Sequence, residues 1–600
     1  MSPPTPDQMK HYRMITMAAA VMSMMACSNV PPPEPYGAIP SPAQVAWQKM
    51  ETNMFIHFGP NTFTGSEWGS GKEDVEVFAP TDLDCRQWVR TARAAGMKGV
   101  IITAKHHDGF CLWPNPMSSH TVARSTWMDG KGDILRDLSE ACREYGLKFG
   151  VYISPWDRND PTYGTDGYNE VFRKTLDSAL GEYGEVFEQW FDGACGEGPN
   201  GKVQVYDWDL YHRTVHRHQP DAIIFSDVGP GCRWIGNERG IAGETCWSTL
   251  DTAGFEAGRS PHRDILNTGN AGGQAWVPGE ADVSIRPGWF WRESENSKVK
   301  TLSQLLEIYY GSVGRNSLLL LNVPPDTRGR IHETDSLRLM EFRSALDKIF
   351  AVDLSDGAAA EASQTRGGSG KYSPANMLDD DYDSYWAADD GITASSLTFT
   401  LDGPKTFNRI LLQEYIPLGQ RISRFSVDVL SDGRWTKAAE GTTVGYKRIL
   451  LTDTVTATAV RINIEESFAC PVLNGFGLFM DNMMAADGNE DGRISRRCTL
   501  MPAGRPHVLD LGQIRTVNGF FYEPGNNGQG GSIICYDLET STDGKTWTTI
   551  LKDRMFDNIV NNPVLQKVRF SSPSEARYLR LTPTRTELPD TYSIARFGAL

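Results

Sequence analysis

The stretch from Cys85 to Thr103, CRQWVRTARAAGMKGVIIT, holds one complete structural unit. Cys85–Ala95 spaces its apolar residues at helical intervals, Gly96 stops the helix, and Gly99–Thr103 is a short continuous apolar run. A glycine just past the last turn can satisfy free carbonyls in a left-handed cap, so the stop has a physical cause. A continuous apolar strand after such a helix implies cover on both faces, hence a parallel sheet. The unit recurs. Asp133–Tyr145 stops at Gly146 before Phe149–Ile153, and Glu170–Tyr183 stops at Gly184 before Val186–Phe191. Trp208–Gln219 stops at Pro220 before Ala222–Phe225. A repeat of about 40 residues across about 300 predicts a (β/α)8-like barrel over residues 41–350. A doubly wound open sheet is the alternative, but no GxGxxG follows the first strand.

Near residue 350 the texture changes. Short alternating stretches such as Leu397–Leu401, Arg424–Leu430 and Ala459–Ile464 are punctuated by Ser, Thr, Gly and Asp, which reads as an all-β region. A similar run follows an acidic linker at Asp487–Asp491. Two passages echo each other: Ser431-Asp432-Gly433-Arg434-Trp435 parallels Thr542-Asp543-Gly544-Lys545-Thr546-Trp547, and Ala459–Ile462 parallels Tyr578–Leu581. Two related β-sandwiches are expected, at 351–484 and 485–600. The fold class is therefore multidomain, α/β followed by all-β. Six hundred residues exceed one core, and a net charge of −16 lacks the basic footprint of a nucleic-acid binder.

The N-terminal residues 1–40 read as signal and tether. Lys10, His11 and Arg13 precede a short apolar run, Met14 to Ala26, which fits a secretory signal and is too short to span a membrane. Met-Met-Ala-Cys27 resembles a bacterial lipobox, with Cys27 lipidated and the polar, Pro31–Pro33-containing segment as a tether. An exported protein of the periplasm or the bacterial cell surface is expected, touching membrane solely through that anchor. The remaining cysteines show no CxxC pair, so buried thiols are expected and a zinc site is not.

In a barrel of this type the chemistry gathers at the carboxyl ends of the strands. Met54–Ile56 ends in His57, Gly99–Thr103 in Lys105-His106-His107-Asp108, and Phe149–Ile153 contains Tyr152. Val186–Phe191 ends in Asp192 and Ile223–Phe225 in Ser226-Asp227. Neighbouring His106 and His107 would face opposite sides of a strand unless the strand ends there. No HExxH or HxH spacing supplies a third ligand, so no metal is expected in the barrel. Asp192, closing a buried apolar strand, is the sharpest signal. Asp227, Glu238 and Glu244 are candidates for a partner carboxyl. Glu238 sits in a long Gly-rich loop, Gly229–Glu238, that could lay it over the barrel mouth beside Trp234 and raise its pKa.

His57-Phe58-Gly59, Glu67-Trp68, Lys105-His106-His107-Asp108-Gly109-Phe110 and Trp190-Phe191-Asp192-Gly193 closely resemble glycoside hydrolase family 29, the retaining α-L-fucosidases. The resemblance covers roughly 45–350, with Leu321–Asp326 as the barrel-closing segment. It implies Asp192 as nucleophile and fucose contacts from His57, Glu67, Trp68, His106, His107 and Tyr152. Trp234–Glu238 and Ile285–Trp289 resemble the subgroup acting on α-1,3/1,4-linked fucose of branched, Lewis-type glycans. That implies Glu238 as acid/base, with Glu244 as second choice, and Trp289 as a wall for the fucose methyl group. Retention implies carboxyls ~5–5.5 Å apart and no catalytic cofactor.

The β-regions resemble discoidin-type modules, named for the C-terminal part of coagulation factors 5 and 8, which bind glycan or brace the barrel. The run Asn376–Trp386 looks like their early loop, with structural Ca2+ possible near Asp379 and Asp381. Expected partners are fucosylated oligosaccharides and glycoconjugates. The rival readings are a surface protein that binds glycan after losing a catalytic carboxylate, and a retaining glycosidase for another sugar or linkage.

Overall fold

The computed structural model describes residues 30–258, 263–483, 499–525 and 531–600. The signal-like segment with Cys27, the linker Asp487–Asp491 and Cys498 lie outside these residues. Eight parallel strands form a closed barrel in chain order. They are β1 (Thr52–Ile56), β2 (Gly99–Lys105), β3 (Lys148–Ile153), β4 (Glu188–Trp190), β5 (Ile223–Ser226), β6 (Cys232–Trp234), β7 (Gly279–Ser284) and β8 (Ser317–Asn322). Closure is direct: Met54 of β1 pairs with Val100 of β2 on one side and Leu321 of β8 on the other. All of β2, β7 and β8 is buried, and burial on both faces explains the near-continuous apolar runs of β2 and β8.

The helices follow the predicted stops with two differences. Helix α1 (Cys85–Ala94) is capped by Asp84, whose carboxyl accepts from the Gln87 amide. In α2 (Ile134–Tyr145) Asp133 is the cap and Gly146 takes the expected left-handed form at φ +72°. The third helix, α3 (Asp166–Leu180), ends before Gly184. There Gln219 reaches across and donates to the carbonyls of both Leu180 and Gly184, doing the work assigned to a glycine cap. The second difference concerns the loop Gly229–Glu238, which carries strand β6. A strand of three residues is too short to register as a periodic element.

The remaining chain forms two antiparallel β-modules. In the first, Ser395–Glu414 and Arg448–Ser467 run side by side, with register shifts between Thr400 and Lys405 that let one long pair serve both layers. Trp386, Phe399, Phe407 and Val460 fill its core. In the second, Ile533–Ser541, Gln566–Thr586 and His507–Glu523 are central strands around Phe520, Tyr536 and Leu579. The sequence echo has a physical counterpart. The Arg461 guanidinium lies 3.9 Å from the Trp435 ring centroid, and Arg580 lies 4.2 Å from that of Trp547. Each stack clamps a hairpin to its neighbouring strand.

The first module and the barrel share one core, since Ile449 and Phe479 pack within the barrel's apolar cluster. Asn316, at φ +59°, pins the join: it donates to Cys246 and Ser248 at 2.9 and 3.0 Å and accepts from the Tyr446 amide at 2.7 Å. Residues 30–36 are not a free tether. Arg366 donates to the Pro31 carbonyl, Tyr372 to that of Val30, and Arg421 to that of Glu34, strapping the segment to the first module. The polar composition that suggests a tether does not keep the segment free, because each of these three carbonyls has a donor waiting.

Eight described cysteines are free thiols, six of them buried. In the acidic loop of the first module, Asp379 accepts from the Asp381 amide and Asp381 from the Asp383 amide, both at 3.0 Å.

Candidate active site

The carboxyl ends of the barrel strands open into a cavity of about 380 Å³. Its floor is aromatic. Trp190 and Phe225, neighbours on β4 and β5, stack with centroids 3.8 Å apart, and Tyr152 stacks on Trp190 at 5.2 Å. His57 follows β1, and its Nδ1 lies 2.9 Å from Asn322 Oδ1 at the end of β8. The Asn322 amide donates to Ser284 Oγ and to the Trp289 carbonyl, so its oxygen must accept from His57. That fixes the tautomer, and the His57 Nε2 is left as an acceptor. Burial pushes His57 down to about 3.

Strand β2 ends at Lys105, which frees both His106 and His107 to enter the cavity. Lys105 itself turns away: its ammonium pairs with Asp157 at 3.0 Å and donates to the Ser154 carbonyl at 2.8 Å. His107 donates through Nδ1 to Ser154 Oγ at 2.8 Å, because that hydroxyl is committed to the Trp156 carbonyl. Its Nε2 is 3.6 Å from Asp192. Burial holds both His106 and His107 well below the usual imidazole value. Trp68 stands edge-on to His107 and Trp156.

Asp192 follows β4. Its carboxylate accepts from the Ala194 amide at 2.7 Å and the Tyr152 hydroxyl at 3.0 Å. Burial raises its pKa and these two donors oppose the rise. The side chain keeps 27% exposure and lines the cavity. Glu67 accepts from the Trp289 amide at 3.0 Å and from the Arg292 guanidinium. Burial still raises its pKa, the Arg292 charge being the main opposing effect. Glu238 is more isolated from positive charge. Its Oε2 accepts from the Trp289 indole at 2.7 Å, and burial pushes it up to about 8, with Asp192 and Glu67 adding to the rise.

Thus Asp192, Glu238, His57, Glu67, Trp68, His106, His107, Tyr152 and Trp289 all line one cavity. Glu244 does not. It is exposed at the surface and pairs with Arg315 at 3.3 Å, so the second choice for a partner carboxyl is removed. Its carboxylate gains more from water and a guanidinium than a dry pocket could offer. Trp234, expected beside Glu238, lines the cavity from β6. Two contributors escaped the sequence reading. Asp282 enters from β7, where burial drives its carboxyl well above the usual range. An acid at alternate positions of a buried strand, Glu280 and Asp282, was a usable signal. Asn558, from the second β-module, had none.

A different group, Glu188, Cys232 and Glu280, gathers inside the barrel. Burial raises Glu188 to about 7 and Glu280 well above its usual value, and the Trp47 indole donates to Glu188 at 2.8 Å. Two carboxyls forced together out of water share a proton, and Glu280, pushed further up than Glu188, is the one that keeps it.

The sequence matches the family Alpha-L-fucosidase over residues 36–348 and the F5/8 type C domain over 359–473 and 482–596. The chain belongs to the α-L-fucosidase family. It is a glycoside hydrolase. Alpha-L-fucosidase 1 of Arabidopsis thaliana is 41% identical over 480 residues, covering 78% of this chain and 94% of that one. Among solved structures, a glycoside hydrolase 29 family member from an unknown rumen bacterium superposes with a TM-score of 0.68 at 36% identity. It covers 94% of this chain and 100% of its own. A Ruminococcus gnavus family 29 fucosidase in complex with fucose gives 0.69 at 33% identity, covering 76% of this chain and 98% of its own.

The buried histidines bear on pH dependence. The folded pKa of His57 lies below its unfolded value, so between pH about 6.5 and about 3 the unfolded chain binds more protons. Stability therefore falls as pH drops through that window. Ring resonances of His57 should stay constant from pH 8 to 4 by NMR; a midpoint near 6.5 would mean that the cavity solvates the imidazolium.

Proposed function

We propose that this α-L-fucosidase removes terminal α-1,3/1,4-linked L-fucose from branched, Lewis-type glycans with retention, through a covalent fucosyl-enzyme intermediate. One observation carries the reading: two carboxyls share the cavity in opposed environments. Asp192 is held by an amide and a hydroxyl and stays open to the cavity, as a nucleophile requires. Glu238 is half-buried against Trp289, and desolvation pushes its pKa up to about 8, which keeps it protonated at neutral pH. Asp192 attacks the anomeric carbon while Glu238 protonates the departing glycan oxygen. Glu238, now a carboxylate, then takes a proton from the water that releases fucose.

In this reading His57, His106 and His107 are neutral and present ring nitrogens to the sugar hydroxyls, and Tyr152 keeps Asp192 aimed. Glu67 and Trp68 complete the hydroxyl contacts, and the Trp289 ring is the wall for the methyl group. The linkage preference is supported by Trp234 and Trp289 lying on either side of Glu238 in the sequence pattern of the α-1,3/1,4 subgroup. A Lewis-type trisaccharide should lose fucose faster than 2′-fucosyllactose, and NMR should detect the α-anomer first. Asp192→Asn and Glu238→Gln should each cut kcat/KM on the trisaccharide by about 10³-fold or more. Equal rates on both substrates would overturn the linkage assignment, and first release of the β-anomer would overturn retention.

The reading extends to location and to a cation. Export with a lipid on Cys27, at the periplasmic or outer face of a bacterial membrane, is supported by the charged, apolar and small-residue order of residues 10–27. Cys27→Ser should move the protein from the membrane fraction to the soluble one; an unchanged distribution removes the anchor. Calcium near Asp379 and Asp381 is supported by the carboxylates of Asp379, Asp380, Asp381 and Asp383 in that loop. Chelation should then lower the melting temperature by several degrees and added Ca2+ restore it, and an unmoved melting curve would leave the loop as a pair of Asp-capped turns.

A further inference from the structure

One turn of the second β-module enters the cavity. Asn558 Nδ2 lies 3.1 and 3.0 Å from the two carboxyl oxygens of Glu238, across 320 residues of chain. The amide is oriented, because Asn561 Nδ2 donates to Asn558 Oδ1 at 3.1 Å and so turns the NH2 group toward Glu238. Asn558 has φ +45°, a left-handed conformation that asparagine accepts more readily than most residues. Asn562 then fastens the turn to the barrel by donating to the Pro287 carbonyl at 2.8 Å. Pro287 is two residues before Trp289, whose indole holds the same Glu238 oxygen. The two loops are therefore joined twice, once directly and once through Glu238. Phe556 and Ile559 of the same module form part of the cavity wall.

We propose that the second β-module is a working part of the catalytic centre, in which Asn558 is the positioning residue for Glu238. The proposal rests on the reading of Glu238 as acid/base. A carboxyl that gives a proton in one step and takes one in the next must keep one orientation through both. Trp289 alone fixes a single oxygen and leaves the group free to swing about it. Asn558 contacts both oxygens and removes that freedom.

The amide also acts on protonation. N–H donors favour the ionised carboxyl, so Asn558 opposes the rise that burial imposes on Glu238. Other charges face Glu238 from several elements. Asp192 beyond β4 and Glu67 beyond β1 push its pKa upward, and Asp282 on β7 interacts with it. Asp227 and Arg585 line the same cavity. Asp557, next to Asn558, is turned toward the Trp68 amide and Arg158. All of these charges remain in the chain when the Asn558 amide is removed, so the amide is the one group by which the two proteins behind the pH profiles differ in composition.

The test compares pH profiles of kcat/KM for the full-length wild type, Asn558→Gly, Asn558→Asp and Glu238→Gln. Glycine accepts the left-handed backbone, and aspartate keeps the shape while reversing the electrostatics. The substrates are the Lewis-type trisaccharide and p-nitrophenyl fucoside, whose leaving group needs no proton. Removing the amide should raise the Glu238 pKa and move the alkaline limb on the trisaccharide up by about one pH unit, with Asn558→Asp moving it further. The loss at neutral pH should be about 10-fold on the trisaccharide and smaller on the aryl fucoside. A uniform loss at every pH, equal on both substrates, would reduce Asn558 to packing and overturn the proposal. If Glu238→Gln is impaired on the trisaccharide but both Asn558 variants trace the wild-type profile, the positioning role fails and the acid/base assignment survives. Full trisaccharide activity in Glu238→Gln would overturn both.

Discussion

Barrel closure is the constraint from which the site follows. Once Met54 pairs with both Val100 and Leu321, the first strand has no free edge and every interior side chain is committed to a shared, dry volume. Aromatic rings from β1, β3, β4 and β5 fill the upper part of that volume, and polar groups are left to the rim where each strand ends. Asn322 shows the coupling most clearly. It ends the last strand, yet it sets the tautomer of a histidine that follows the first, so the two ends of the closure meet inside the site.

The same dryness sets the electrostatics. Histidines, carboxyls and tyrosines in the cavity shift because water is withdrawn, and their hydrogen bonds decide how far each one goes. Asp192 and Glu238 differ in their donors and in their access to the cavity more than in their burial. Glu67 has a guanidinium beside it and Glu238 has none, so the two acids experience the same apolar surroundings with different outcomes. Lys105, at the start of the most recognisable sequence run, stands apart from this chemistry and secures the loop after β3 through Asp157.

How much of this was legible in the sequence depended on distance along the chain. The barrel was readable because helix, stop and strand sit within 20 residues of one another, and the rim residues because each follows its strand directly. The repeated Asp-Gly turn and Trp predicted related modules, and the Arg461–Trp435 and Arg580–Trp547 stacks explain why those residues recur together. Strand β6 was lost because three residues make no period. Glu244 stood as second choice to Glu238 because a linear pattern does not say which side of Ile241 and Ala242 the chain turns toward. Asn558 was illegible in principle: it lies in a turn with no local signature, and its partner belongs to another domain.

The strap of residues 30–36 gives the molecule an unusual load path. The chain crosses the first β-module before it enters the barrel and returns to that module when it leaves. Two separated crossings resist twisting where a single linker would swivel. A pull applied to the chain ahead of Val30 is met first by the Arg366, Tyr372 and Arg421 contacts, and is spread through an antiparallel sheet. The barrel, whose strand ends carry the aligned groups, is thereby insulated from force arriving at that end.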